Sequence, residues 1–220
     1  MKRILVLLYI VLFSACVSAE DKEVKVLIVT NAGKITVKLY NETPQHRDNF
    51  IKLVEEHRYD SLLFHRVIKQ FMIQGGDVNS KKSAAGEKLG EGDLDYMVPA
   101  EIVYPRYFNK MGQLCAARQS DEVNPSRASS ATQFYIVVGK HFTDNELDKF
   151  EAEHGVKFTP EQREAYKVEG GVPRLDGAYT VFGEVVKGMK VVQKINVVDT
   201  DSNDRPLKDV RIKTMKILKR

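Results

Sequence analysis

Arg66, Phe71, Met72 and Gln74 fall within nine residues, in the segment FHRVIKQFMIQGGD from Phe64 to Asp77. Their alternation puts a cation, two large apolar side chains and an amide near one strand surface. A guanidinium keeps its charge and offers several N–H groups in a fixed plane, so it can aim donors at a group held in an apolar surround. Other chemistry finds little support. The five histidines, His46, His57, His65, His141 and His154, form no ligand spacing, and Cys115 has no second thiol partner, so no metal site is expected. Cys115 lies in the apolar run Gly112 to Ala117, where a lone cysteine is inert packing in a strand entering the core. Gly75-Gly76-Asp77 is followed by neither a helix nor the Lys-Ser/Thr pair of a phosphate loop.

The elements that must position these residues read as mainly β. Val24 to Thr30 and Lys34 to Tyr40 are rich in β-branched residues, and Asn31-Ala32-Gly33 between them supplies a turn, which predicts a hairpin. Thr43-Pro44 offers an N-cap with Pro at the first helical position, and Phe50, Leu53, Val54 and His57 recur at helical spacing, predicting a helix over 44–57. Short strands separated by polar loops follow. Phe134 to Val138 and Tyr179 to Val186 are the clearest strands, Gly188 to Asn196 has helical spacing, and Val210 to Leu218 alternates as a final strand. The charged stretch Thr143 to Glu169 breaks this pattern. Thr143 with Glu146 and Thr159 with Gln162 have capping-box spacing, and Gly155 falls where a first helix would stop. This predicts a helical hairpin inserted at about 143–169, anchored by Leu147, Phe150, Phe158 and Tyr166. Many short strands with two core helices imply a closed or nearly closed barrel.

With 220 residues and 43% hydrophobic content the chain suits one well-buried domain. Its 34 basic and 30 acidic residues include no polybasic block interleaved with aromatics, so no nucleic-acid partner is expected.

The segment from Phe64 to Asp77 closely resembles the cyclophilin signature, and the resemblance extends from about Val24 to Ile217. Gly112 to Gln119, GQLCAARQ, looks like the family's segment beneath the bound peptide backbone. Ala131 to Ile136 is similar to its Gly/Ala-Ser-Gln-Phe-Phe-Ile strand, and Leu175 to Gly183 to its Leu-Asp-Gly turn and Val-Phe-Gly strand. The resemblance implies an eight-stranded antiparallel β-barrel capped by two helices, with the helical insertion between late strands. It also implies a monomer with no cofactor that catalyses cis/trans isomerisation of the bond preceding proline in proline-containing peptides and partly folded proteins. On that resemblance Arg66 and Gln74 are the catalytic candidates. Phe71, Met72, Tyr135 and Leu175 would line the proline slot and Tyr179 would keep an aromatic wall, with Ala117, Arg118 and Gln119 holding the substrate backbone by main-chain groups and Gln133 a further substrate-binding residue. Gln74 would hold Arg66 in place, while His65 is structural, because rotation about a bond needs no acid or base. The other reading is a proline-segment-binding chaperone or scaffold with little turnover.

Three positions depart from the best-known eukaryotic pattern. Arg174 stands where those members often have Trp, Tyr179 where they have His, and Tyr135 where they have Phe. The missing Trp implies weak cyclosporin binding. The extra hydroxyl of Tyr135 needs a partner or must point outward, since burying it unpaired costs about 1–3 kcal/mol.

Lys2 and Arg3 precede an apolar run from Ile4 to Phe13, too short for the roughly 20 residues of a membrane span but suited to an export signal. Residues 1–19 are therefore expected to leave a mature domain over 20–220. Val17-Ser18-Ala19 suits cleavage before Glu20, whereas Phe13-Ser14-Ala15-Cys16 resembles a bacterial lipobox that would lipidate Cys16. Either route places the protein in a bacterial cell envelope, periplasmic or anchored to a membrane through lipid.

Overall fold

The computed structural model describes residues 23–218. The expected export signal, its two alternative cleavage sites and Cys16 lie outside the described residues. The expected hairpin is present as β1 (Lys25–Thr30) and β2 (Lys34–Leu39). Along the chain follow β3 (Arg66–Ile68), β4 (Met72–Gly75), β5 (Met97–Val98), β6 (Gln113–Ala116), β7 (Ser129–Ser130), β8 (Phe134–Val137), β9 (Val181–Lys187) and β10 (Ile212–Leu218). Eight of them form one antiparallel sheet in the order β10-β1-β2-β9-β6-β8-β4-β3, and β5 pairs with β7 apart from it.

The sheet curls but is not a continuously closed barrel, which corrects the closed form expected from the sequence. β10 and β3 are its end strands. The chain just ahead of β3 meets the approach to β10 through an isolated bridge between Leu63 and Arg211 and a few backbone bonds, such as Phe64 N–H to Val210 C=O at 2.8 Å. Left-handed backbone at Ser61 and Gln70 brackets this region and keeps β3 to three residues. No long ladder can form there.

Side chains alternate across a strand, so each central strand serves two cores. Phe134 and Ile136 of β8 join an inner core with Leu114 and Ala116 of β6. Tyr135 and Val137 face the other way, with Met72, Cys115 and Leu175, beneath the outer surface. α1 (Pro44–Glu55) adds Phe50, Leu53 and Val54 to the inner core. That helix ends two residues before the predicted 57, where His57 turns left-handed and stays exposed. Thr43 makes no side-chain cap; the α1 N-terminus is closed by Glu101, which accepts from Gln45 N–H at 3.1 Å and His46 N–H at 2.9 Å. α2 (Asp144–His154) and α3 (Pro160–Val168) form the inserted hairpin, both with complete capping boxes, and Gly155 ends α2 at φ 64°. Leu147, Phe158 and Tyr166 make a small separate core with Phe150 beside them. α4 (Met189–Asn196) buries Val192 and Ile195 in the inner core, giving the two expected core helices.

Candidate active site

Antiparallel register sets the site. Arg66 on β3 lies opposite Gln74 on β4, and Gln74 lies opposite Tyr135 on β8. The turn of Gln70 between β3 and β4 swings Phe71 beside Met72. Around them opens a cavity of about 300 Å³ lined by Arg66, Phe71, Met72, Gln74, Ala117, Arg118, Tyr135, Arg174, Leu175 and Tyr179. Nine of the eleven residues expected from the sequence thus share one cavity. The other two, Gln119 and Gln133, line an adjoining cavity of about 810 Å³, which also reaches Gln74, Ala117 and Arg118.

The floor is apolar. Met72 and Tyr135 are buried, and the Tyr135 ring meets Tyr179 edge to face at 5.8 Å. The Tyr135 hydroxyl points away from the cavity and donates to Asn109 Oδ1 at 3.1 Å. Arg174 lays its guanidinium over the Phe71 ring at 4.4 Å, so a cation–π contact builds the wall at this position. Arg118 stitches the opposite rim: its Nε donates to Ala178 C=O at 2.8 Å and its plane covers Tyr179 at 4.5 Å.

Arg66 is not held by Gln74, as the sequence suggested. Its Nε donates to Asp204 Oδ2 at 3.3 Å, and among the described residues its two terminal nitrogens have no protein partner. Gln74 donates instead to Gln133 Oε1 at 2.9 Å, and Gln133 donates to the carbonyls of Gly90 at 3.0 Å and Gly92 at 2.8 Å. Cross-strand neighbours point the same way, but each amide meets its best acceptor elsewhere. The backbone of Ala117 is also committed to the fold, its N–H to Gln133 and its C=O to Ser130, both at 2.9 Å. Arg118 N–H and C=O have no partner among the described residues, which leaves that peptide unit for a ligand.

Gly-Gly-Asp serves as scaffold. A Cβ at Gly76, whose φ is 96°, would meet Thr132 O at 2.1 Å, so only glycine passes there. Asp77 is fully buried, accepts from Asn79 N–H at 2.7 Å and from Gly90 N–H, and so ties the Gly90 loop to the end of β4. His65 is buried with neither ring nitrogen bonded, and burial lowers its pKa to about 4. Burial also raises the Cys115 thiol far above its ordinary range, as inert packing requires. Asp204 and Asn109 were missed in the sequence. Asp204 lies 138 residues from Arg66 and belongs to no motif, whereas Arg174 was marked in the sequence as a departure and the structure adds its place over Phe71.

An arginine fork beside an apolar slot on the outer face of a curled antiparallel sheet defines the class. The chain belongs to the family of cyclophilin-type peptidyl-prolyl cis-trans isomerases, whose sequence pattern matches residues 25–217. Relatives named as peptidyl-prolyl cis-trans isomerases occur in Staphylococcus epidermidis, 32% identical over 199 residues, and Staphylococcus aureus, 33% identical. Each match covers 90% of this chain and 93% of the relative. The fold is similar to that of a crystalline Cryptosporidium parvum cyclophilin-type isomerase, with a TM-score of 0.64 and 22% identity over 90% of this chain and 99% of that one. A second crystal structure of that protein, determined in the presence of the dipeptide Ala-Pro, gives a TM-score of 0.63.

Proposed function

We propose that this chain is a peptidyl-prolyl isomerase that accelerates rotation about X-Pro bonds in exported proteins at a bacterial cell envelope and so assists their folding. An X-Pro bond interconverts over tens to hundreds of seconds because rotation must break amide resonance. Twisting it localises a lone pair on the proline nitrogen, and a fixed donor aimed there binds the twisted state better than either planar one. The observation that carries this reading is the Arg66 fork, anchored at Nε and unpartnered at its tips, beside a slot floored by Met72 and Tyr135. Proline enters the slot, which keeps water from weakening the Arg66 contact. The Arg118 peptide unit holds the chain on one side of the bond while the other side turns. Gln133 acts mainly by fixing the Gly90 loop and Gln74.

Exchange NMR on an Ala-Pro peptide tests the activity. Catalytic amounts of protein are expected to raise the exchange rate well above the uncatalysed one, and line broadening without faster interconversion would mark a binding module instead. The envelope location rests on the leader, with lipid on Cys16 as its anchored form. Labelling cells with a fatty acid is expected to mark the wild type and not Cys16→Ala; an unlabelled wild type would make the free form correct.

A further inference from the structure

The inserted hairpin is tied to the slot by buried polar groups as well as by packing. Tyr166 of α3 is the centre of the hairpin's small core: its ring meets Phe108 and Phe158 at 5.5 Å and Phe142 at 5.9 Å. Its hydroxyl leaves that core and donates to Asp176 Oδ2 at 2.6 Å. Asp176 directly follows Leu175 of the slot wall, and its Oδ1 accepts from Asn109 N–H at 2.8 Å and Asn109 Nδ2 at 3.2 Å. The other end of the same amide, Oδ1, accepts from the Tyr135 hydroxyl at 3.1 Å. Every link has one possible sense, because a carboxylate only accepts and its demand fixes which end of the Asn109 amide faces Tyr135. Asn109 and Tyr166 are fully buried, Tyr135 nearly so and Asp176 partly, so water has little access to replace a partner lost at Asn109 or Tyr135.

We propose that the 143–168 hairpin is a positioning element of the active site, in which Tyr166, through Asp176 and Asn109, sets the turn bearing Leu175 and the tilt of the Tyr135 ring. Tyr166 is a positioning residue and touches no substrate. The proposal rests on the isomerase reading above. It gives the insertion a role in turnover, where its charged surface alone would suggest a solvated excursion.

The test is a double-mutant cycle of Tyr166→Phe and Tyr135→Phe, each of which deletes one hydroxyl and keeps the ring. Loss of one buried hydrogen bond corresponds to about threefold to tenfold in kcat/KM for an Ala-Pro peptide, and each single variant is expected to fall in that range. The double variant is expected to be no worse than the worse single one, because both cuts interrupt the same chain. Effects that multiply, or a folded Tyr166→Phe with unchanged kcat/KM, would overturn the proposal. A second measurement needs no variant: with tyrosine ring carbons labelled, saturation by the peptide is expected to shift the Tyr166 Cζ signal together with that of Tyr135. A shift at Tyr135 with none at Tyr166 would also overturn it. A wild type that binds the peptide without speeding exchange would instead sink the isomerase reading, so the two failures are separable.

Discussion

Asp204 reaches Arg66 from the loop between α4 and β10, itself held in a left-handed backbone at φ 63°. The pair is about half exposed, so its own contribution to stability is small. Its effect is on position: with Nε held, the guanidinium is fixed at the edge of the slot that Arg66 lines. Asp204→Asn keeps an acceptor but removes the charge, and kcat/KM is expected to fall about twofold to fivefold, in line with the modest strength of exposed ion pairs. A steady-state assay with unfolding curves alongside checks this; a faster variant would mean that Asp204 competes with substrate for Arg66. His65 gives a prediction in pH. Its folded pKa of about 4 lies below the ordinary histidine value of 6.5, so between these values the unfolded chain takes up a proton that the folded one refuses. Stability is full above pH 6.5 and declines as pH falls toward 4, by about 3 kcal/mol at 1.36 kcal/mol per unit. Asp77, Arg66 and Arg205 surround the ring, and the two arginines oppose its protonation while Asp77 favours it. In His65→Leu the gap between urea midpoints at pH 7 and pH 4.5 is expected to shrink; an unchanged gap would place the acid sensitivity elsewhere.

The elements show why part of the site was readable in sequence and part was not. Period-two patterning is local, so the strand carrying Tyr135 could be placed from its neighbours alone, whereas Arg66 and Gln74, read as sharing one strand surface, stand on β3 and β4 across the turn at Gln70. The capping boxes of α2 and α3 were legible for the same reason. Glu101 as the cap of α1, Asp204 as the partner of Arg66, and Gln133 as the partner of Gln74 join residues 55 to 138 positions apart. No local pattern announces such contacts. The failed closure between β3 and β10 has the same origin, because left-handed Ser61 and Gln70 are conformations that their residue types do not advertise. The hairpin's local design makes its own prediction. Thr143→Ala and Thr159→Ala each remove a cap worth about 1 kcal/mol, and amide exchange is expected to quicken through α2 and α3 while β4, β6 and β8 stay protected. Faster exchange across the whole sheet would show that hairpin and sheet open as one unit.

At the scale of the molecule, one outer core supports the site, a small third core supports the hairpin, and Tyr166 joins them by a hydroxyl. The fold is that of the family, and at the rim Arg174 stacks on Phe71 and Arg118 on Tyr179. A charged guanidinium in place of an indole wall weakens a large apolar ligand more than a short peptide. Cyclosporin is therefore expected to inhibit only at high concentration, and Arg174→Trp to lower the required dose; tight, stoichiometric inhibition of the wild type would contradict this. The most direct measurement is exchange NMR on an Ala-Pro peptide with wild type and Arg66→Ala, fitting turnover and affinity from the same spectra. A donor engaged chiefly in the twisted state predicts a loss of turnover of about 100-fold or more with affinity changed only a few-fold. Turnover preserved in Arg66→Ala would contradict the mechanism.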